Sequence, residues 1–185
     1  MAERSGGESP TDRAVSAGAE MVEHVDRDGN VIGIVTRAAV RAGVLRHRCT
    51  YVAVIDSADR VVVHRRADWK DVYPGWWDLA FGGICNVGED WVSAARRELA
   101  EEAGLTGEAL WPLGRVAYDA DDGAVVGEVY LVRSDTEPSC PDAEVVEVDR
   151  VPVADLLAWM EGRSVCLDSR EVVAPLVIAA LGAGR

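Results

Sequence analysis

Residues 83–105 read GICNVGEDWVSAARRELAEEAGL, and the reading of the whole chain turns on this stretch. Asp90 is a good N-cap, and Gly104 stands where a helix that began at Trp91 needs a left-handed terminator. The spacing therefore predicts a helix over residues 91–103. With Glu98 at zero and about 100° per residue, Glu101 falls at about 300° and Glu102 at about 40°. The three carboxylates share one face. Val92, Ala95, Leu99 and Ala103 make a separate apolar stripe, expected to face the core. Carboxylates at i, i+3 and i+4 repel one another and weaken an isolated helix. A hard divalent cation reverses that sign, because it takes oxygen ligands and neutralises the cluster. Arg97 borders Glu101 and is placed to hold a carboxylate by a charge-assisted bond.

Outward from the helix, the pattern alternates short strands with turns. Val22 to Val25 and Val31 to Val35 flank Asp28-Gly29 and read as a hairpin. A short helix is expected over Thr36 to Ala42, then strands over Cys49 to Ile55 and Arg60 to His64. Trp76 to Cys85 reads as extended. Strands follow at Gly114 to Tyr118, Val125 to Val132 and Val145 to Val151, and a helix at Val153 to Met160. Asp168 and Glu171 have capping-box spacing for a last helix ending at Leu181. This is a mixed α/β (α+β) chain that does not alternate strictly as a doubly wound fold does.

Residues 1–20 are rich in Gly, Ser, Ala and charge without periodicity, and are expected to form a disordered tail ahead of a folded domain over 21–185. No apolar run reaches membrane-helix length, and the N-terminus has no secretory apolar stretch, so a cytoplasmic location is expected. The four cysteines fit no zinc spacing and read as reduced thiols. A net charge of −13 argues against long nucleic acid as a partner. An anionic small molecule would need a local basic patch or a bound cation. The oligomeric state is open, a homodimer included.

Taken together, Gly83, then Glu89 after five residues, then Arg97-Glu98-Leu99 after seven, then Glu101-Glu102 and Gly104-Leu105 resemble the signature of the Nudix hydrolases at all nine defining positions. The resemblance implies an α/β/α sandwich on a mixed sheet, and Mg²⁺ or Mn²⁺ held by Glu98, Glu101 and Glu102 with the carbonyl of Gly82. It implies that Arg97 orients a carboxylate, that Glu89 supports the loop or a second metal, and that Gly83 and Gly104 shape the motif. It also implies a small-molecule diphosphate substrate, a nucleoside diphosphate or derivative, cleaved by water. Many Nudix enzymes place a basic carboxylate late in the chain. Glu144 is the first candidate here, ahead of Glu147, and Glu128 is a candidate further ligand.

Flanking segments are similar to a Nudix branch near type I isopentenyl-diphosphate isomerase. They are Gly29-Asn30-Val31-Ile32-Gly33, Leu45-Arg46-His47, Arg65-Arg66 with Lys70, and Pro74-Gly75-Trp76-Trp77-Asp78. By that resemblance Arg66 and Lys70 would hold the diphosphate. The isomerases' Cys and metal-binding His after the Trp strand are absent here, where the chain reads Phe81-Gly82-Gly83-Ile84 and Cys85 is out of register. His47, which matches an isomerase metal histidine, is expected to pack or hydrogen-bond instead. Hydrolysis is therefore the leading expectation. An isomerase-like enzyme and a non-catalytic nucleotide sensor are the alternatives. Trp69, Trp76 and Trp77 could stack on a base, with at least one of the last two expected in the core.

Overall fold

The near-continuous apolar runs Cys49–Ile55 and Val61–Val63 bury both strand faces, and those two strands organise the sheet. The computed structural model describes residues 18–121, 123–141 and 143–182. Its elements are β1 (Met21–Val25), β2 (Val31–Thr36), α1 (Arg37–Gly43), β3 (His47–Ile55), β4 (Arg60–Arg66), β5 (Trp77–Asp78), α2 (Trp91–Ala103), β6 (Trp111–Ala120), β7 (Gly123–Arg133), β8 (Val145–Pro152), α3 (Leu156–Met160) and α4 (Ala174–Gly182). A 3₁₀ turn at Val153–Asp155 precedes α3, and a wide π turn at Ser169–Val173 precedes α4. The expected tail lies outside the described residues up to position 17. Its last residues do have structure, since Glu20 pairs with Arg37 at 3.4 Å and its carbonyl accepts the Arg37 N–H at 2.7 Å.

β3 is central. It pairs with β7 in parallel along its whole length, from His47↔Val125 to Ile55↔Arg133. Its antiparallel partner β4 meets it only at Ile55↔Val61, next to the connecting turn. Beyond that point β4 leaves β3 and pairs with β8 and β5. The sheet thus splits like an opened pair of blades. The segment after β5 occupies the gap through single bridges, Val52↔Phe81 and Cys49↔Ile84. Trp76 to Cys85 was expected to be extended throughout. Only Trp77–Asp78 forms a strand, because past it there is no continuous neighbour to ladder with.

Side chains alternate across this sheet into two cores. Val52, Val54, Val62, Phe81 and Tyr130 pack under α2, with Leu99 and Ala103 from the helix. Ala53, Ile55, Val61, Val63 and Leu131 pack on the other side against Leu156, Val173 and Val177. The result is an α/β/α sandwich. Two expectations fail locally. Val92 is exposed, whereas Ala95, Leu99 and Ala103 of the same stripe are buried. The Asp168–Glu171 capping box does not form. Asp168 is itself helical (φ −61, ψ −40), its carboxylate takes the next N–H, of Ser169, and the turn widens before α4 starts at Ala174. Trp77 packs on the core edge-on to Trp159, as expected for one tryptophan of its pair, and Trp76 stacks on Tyr73.

His64 is wholly buried, stacked on Phe81 with ring centroids 4.4 Å apart, and its Nδ1 has no hydrogen-bond partner. Burial pushes its pKa down to about 4. The unfolded chain therefore takes up this proton near pH 6.5 while the native state refuses it, and stability is lost as pH falls from 6.5 toward 4. His64→Phe removes that loss. The variant is expected to gain on the wild type by up to about 3 kcal/mol between pH 7 and pH 4. Urea unfolding of both proteins across that range checks this, and parallel curves would refute it.

Candidate active site

Helix α2 forms where its local signals predict. Asp90 accepts the Ser93 N–H at 3.0 Å, and Gly104 closes the helix in the left-handed region (φ +68) with its N–H on the Ala100 carbonyl. The preceding loop is pinned from below. Glu23 of β1, nearly buried, accepts the Gly88 N–H at 2.9 Å and Arg48 Nη1 at 3.0 Å, and Arg48 Nη2 also donates to the Glu89 carbonyl.

The carboxylate face is less exposed than a solvated stripe would be. Glu98 and Glu102 are 9% and 5% exposed, and Glu101 is at the surface. Arg97 gathers the cluster. It donates to Glu98 Oε1 at 2.7 Å, to Glu101 Oε2 at 3.1 Å, to both Glu89 oxygens at 2.9 and 3.0 Å, and to the Ile84 carbonyl at 3.2 Å. Glu89 in turn accepts the Asn86 N–H, so it braces the loop. The two glycines permit close approach. The Gly82 N–H donates to Glu102 Oε2 at 2.9 Å, and a Cβ there would collide with the Thr50 carbonyl. A Cβ on Gly83 would stand 2.7 Å from Glu98 Oε1.

One cavity of about 280 Å³ collects nearly all the expected residues: Gly83, Arg97, Glu98, Glu101, Glu102 and Glu144 on one side, with Arg66 and Lys70. Lys70 pairs with Glu144, and Arg66 donates to Asp78 Oδ2 at 3.3 Å. Glu147 does not reach the cavity. It is exposed and accepts Arg65 Nε at 3.0 Å. Glu128 also lies elsewhere, beside Arg115. His47 is buried with Nδ1 on the Leu45 carbonyl at 3.0 Å, a packing and hydrogen-bonding residue as expected, although it borders the cavity. Sequence reading missed Tyr51, Asp78 and Asp168, and Arg37 and Arg41 near the rim. Asp78 lies in the Pro74-Gly75-Trp76-Trp77-Asp78 stretch and Asp168 in a capping pattern, but neither signal pointed to this cavity, and only folding brings the five together.

Burial pushes the Glu98 carboxyl up to about 7, with the charges of Glu101 and Glu144 adding to the rise and Arg97 opposing it. Burial and Glu98 raise Glu102 well above the usual range. Burial also opposes ionisation of Glu144, but Lys70, a hydrogen bond with Glu102 and the charge of Arg66 together more than offset it and hold that carboxyl low. Among the described residues no three His, Cys, Asp or Glu side chains converge as they stand on a single cation position. Arg97 and Lys70 occupy several of the oxygens instead. The donor set still suits a hard cation: oxygen ligands, buried, and mutually repelling.

This geometry coincides with a family match. The NUDIX domain model matches residues 45–167. The chain belongs to the Nudix hydrolase family. The Nudix hydrolase PA4841 of Pseudomonas aeruginosa is 35% identical over 157 residues, covering 84% of this chain and 92% of that protein. Two solved Nudix-like folds resemble it. DR0079 from Deinococcus radiodurans superposes with a TM-score of 0.73 at 24% identity, covering 85% of this chain and 97% of the other. The NUDIX domain of Shewanella oneidensis NrtR superposes with a TM-score of 0.60 at 18% identity, covering 80% and 99%. In this Nudix chain the motif glycines have a steric task, and Gly82→Ala is expected to cost about 2 kcal/mol or more by driving a methyl into the β3 backbone. Denaturant unfolding measures it, and a loss below about 0.5 kcal/mol would mean the loop yields freely.

Proposed function

We propose that this Nudix hydrolase cleaves the diphosphate linkage of a nucleoside diphosphate or a derivative of one, using Mg²⁺ or Mn²⁺. The observation that carries the reading is the charge balance of the cavity. Seven carboxylates border it against five Lys and Arg side chains, so its lining offers oxygen ligands to a cation and fixed positive charge to an anion. Glu98, Glu101 and Glu102, with the Gly82 carbonyl, are the candidate metal ligands. Bound there, a divalent cation would neutralise charge developing on the phosphate oxygens and sharpen water as a nucleophile.

The remaining roles fall to the chain itself. Arg66 and Lys70 hold fixed positive charge for the diphosphate, as resemblance to the isomerase branch suggested. Arg97 keeps the Glu98 and Glu101 carboxylates in position. Glu144 is the candidate base, since its partners keep it ionised at neutral pH. Water bonds to phosphorus as its proton passes to Glu144, and the bridging P–O bond breaks with the electron pair leaving on the departing phosphate. The NrtR domain was crystallised with ADP ribose, a compound of the proposed class. That likeness carries the fold alone, so assay must name the substrate.

Phosphate release with Mg²⁺ is expected from at least one of a panel of nucleoside diphosphates, nucleotide sugars and dinucleoside polyphosphates. No turnover of any member by protein that binds metal would overturn the reading. Glu102→Gln is expected to lower kcat by about a hundredfold or more with its melting temperature kept, and to lose the thermal stabilisation that Mg²⁺ gives the wild type. Unchanged turnover would remove Glu102 from the site.

A further inference from the structure

The cavity has a second wall, built from the layer opposite α2. Tyr51 projects from β3 to the α4 side of the sheet, and Asp168 stands at the entrance to the π turn that leads into α4. Both border the cavity that holds Glu98 and Glu102. The Tyr51 hydroxyl donates to Asp168 Oδ2 at 3.1 Å, and the Ser169 N–H donates to Asp168 Oδ1 at 2.9 Å. A carboxylate oxygen has two acceptor sites, so one remains on each oxygen of Asp168. The Tyr51 hydroxyl has spent its proton and keeps acceptor capacity. The neighbouring Asp78 is more heavily engaged: its Oδ1 takes the Leu79 and Ala80 N–H groups and the Ser169 hydroxyl, and its Oδ2 takes Arg66.

This wall is held rigidly. The Tyr51 ring lies against Gly127 of β7, where a Cβ would stand 2.6 Å from the ring, so the glycine makes room for the tyrosine. What the wall offers is acceptors. A hydrocarbon chain laid on it would shut water away from the spare acceptor sites of Asp168 and offer them no donor.

We propose that Asp168 and Tyr51 receive the organic half of the substrate, and that this half presents a pair of hydrogen-bond donors, foremost a ribose cis-diol. The proposal rests on the diphosphate reading above and narrows it: an alkyl diphosphate does not fit, and a ribonucleotide does. Calorimetry on the full chain with Mg²⁺ separates the two ideas, because it needs no turnover. The probes are adenosine α,β-methylenediphosphate, its 2′,3′-dideoxy form, the inosine form, and an alkyl methylenediphosphonate of similar size.

Removing the diol is expected to weaken binding about tenfold or more, the worth of one hydrogen bond to a charged acceptor. The same loss on removing the base amino group instead would locate the donors on the base and still uphold the acceptor wall. Asp168→Asn is expected to weaken the parent compound by a similar factor and to abolish the preference for donors. Should that variant fail to fold, the probe series on the wild type decides alone. If all nucleotide probes bind within about twofold of one another, or the alkyl compound binds more tightly, the proposal is overturned even where hydrolysis is observed. A donor preference without hydrolysis of any diphosphate would keep the subsite and sink the hydrolytic reading.

Discussion

The five N–H donors of Arg97 form the interaction on which the rest of the site depends. One guanidinium holds Glu89 by both oxygens, Glu98 and Glu101 by one each, and the Ile84 carbonyl. All four of these partners lie on the loop and helix that the motif spans, and one of them is backbone, so the loop cannot shift without breaking a charge-assisted bond. Lysine has no fork with which to do this. The motif's arginine thus sets the distance between the loop that supplies Gly83 and the helix face that supplies Glu98 and Glu102. Gly83 then lets the Glu98 carboxylate lie against the backbone, where a side chain would expel it.

A second constraint comes from the sheet. If β3 and β4 stayed paired along their length, the edge of β3 would be covered and no cavity could open beside it. They part after Ile55↔Val61, and the segment Phe81–Asn86 fills the space with isolated bridges only. Backbone groups and side chains of both layers therefore reach one volume: Glu102 and Gly83 from the α2 side, Tyr51 and Asp168 from the α4 side. The functional cavity is the consequence of a strand pair that separates.

This explains what the sequence disclosed and what it hid. Helix α2 was legible to the residue, from Asp90 to Gly104, because caps and periodicity are local. So was the first hairpin, where Asp26 takes the N–H groups of Asp28 and Asn30. The lone strand at Trp77–Asp78 was not, since what shortens it is the divergence of strands far off in the chain. Asp168 was legible only as a cap. Its true partner Tyr51 is 117 residues distant, and neither residue belongs to a motif. Val92 matched the apolar stripe by angle, but angle alone does not fix how far along the stripe the core reaches. The carboxylate stripe was right in direction. Its depth was not foreseen, because burial of Glu98 and Glu102 depends on the Phe81–Ile84 segment lying over them.

That depth bears on chemistry. An exposed acidic stripe would be ionised and weakly selective. Here burial opposes the charged form of Glu98 and Glu102, and neighbouring carboxylates add to the cost, Glu101 and Glu144 for Glu98 and Glu98 for Glu102. Two kinds of partner relieve this: a proton or a divalent cation. They compete for the same oxygens, since a carboxyl that binds metal must first be deprotonated. The cluster's affinity for a hard cation is thus set against the protons it would otherwise hold near neutral pH. Glu144 escapes this competition because Lys70 and Arg66 supply its neutralising charge. Carboxylates that share one small cavity are thereby sorted by environment, with Glu98 and Glu102 left wanting positive charge and Glu144 already provided with it.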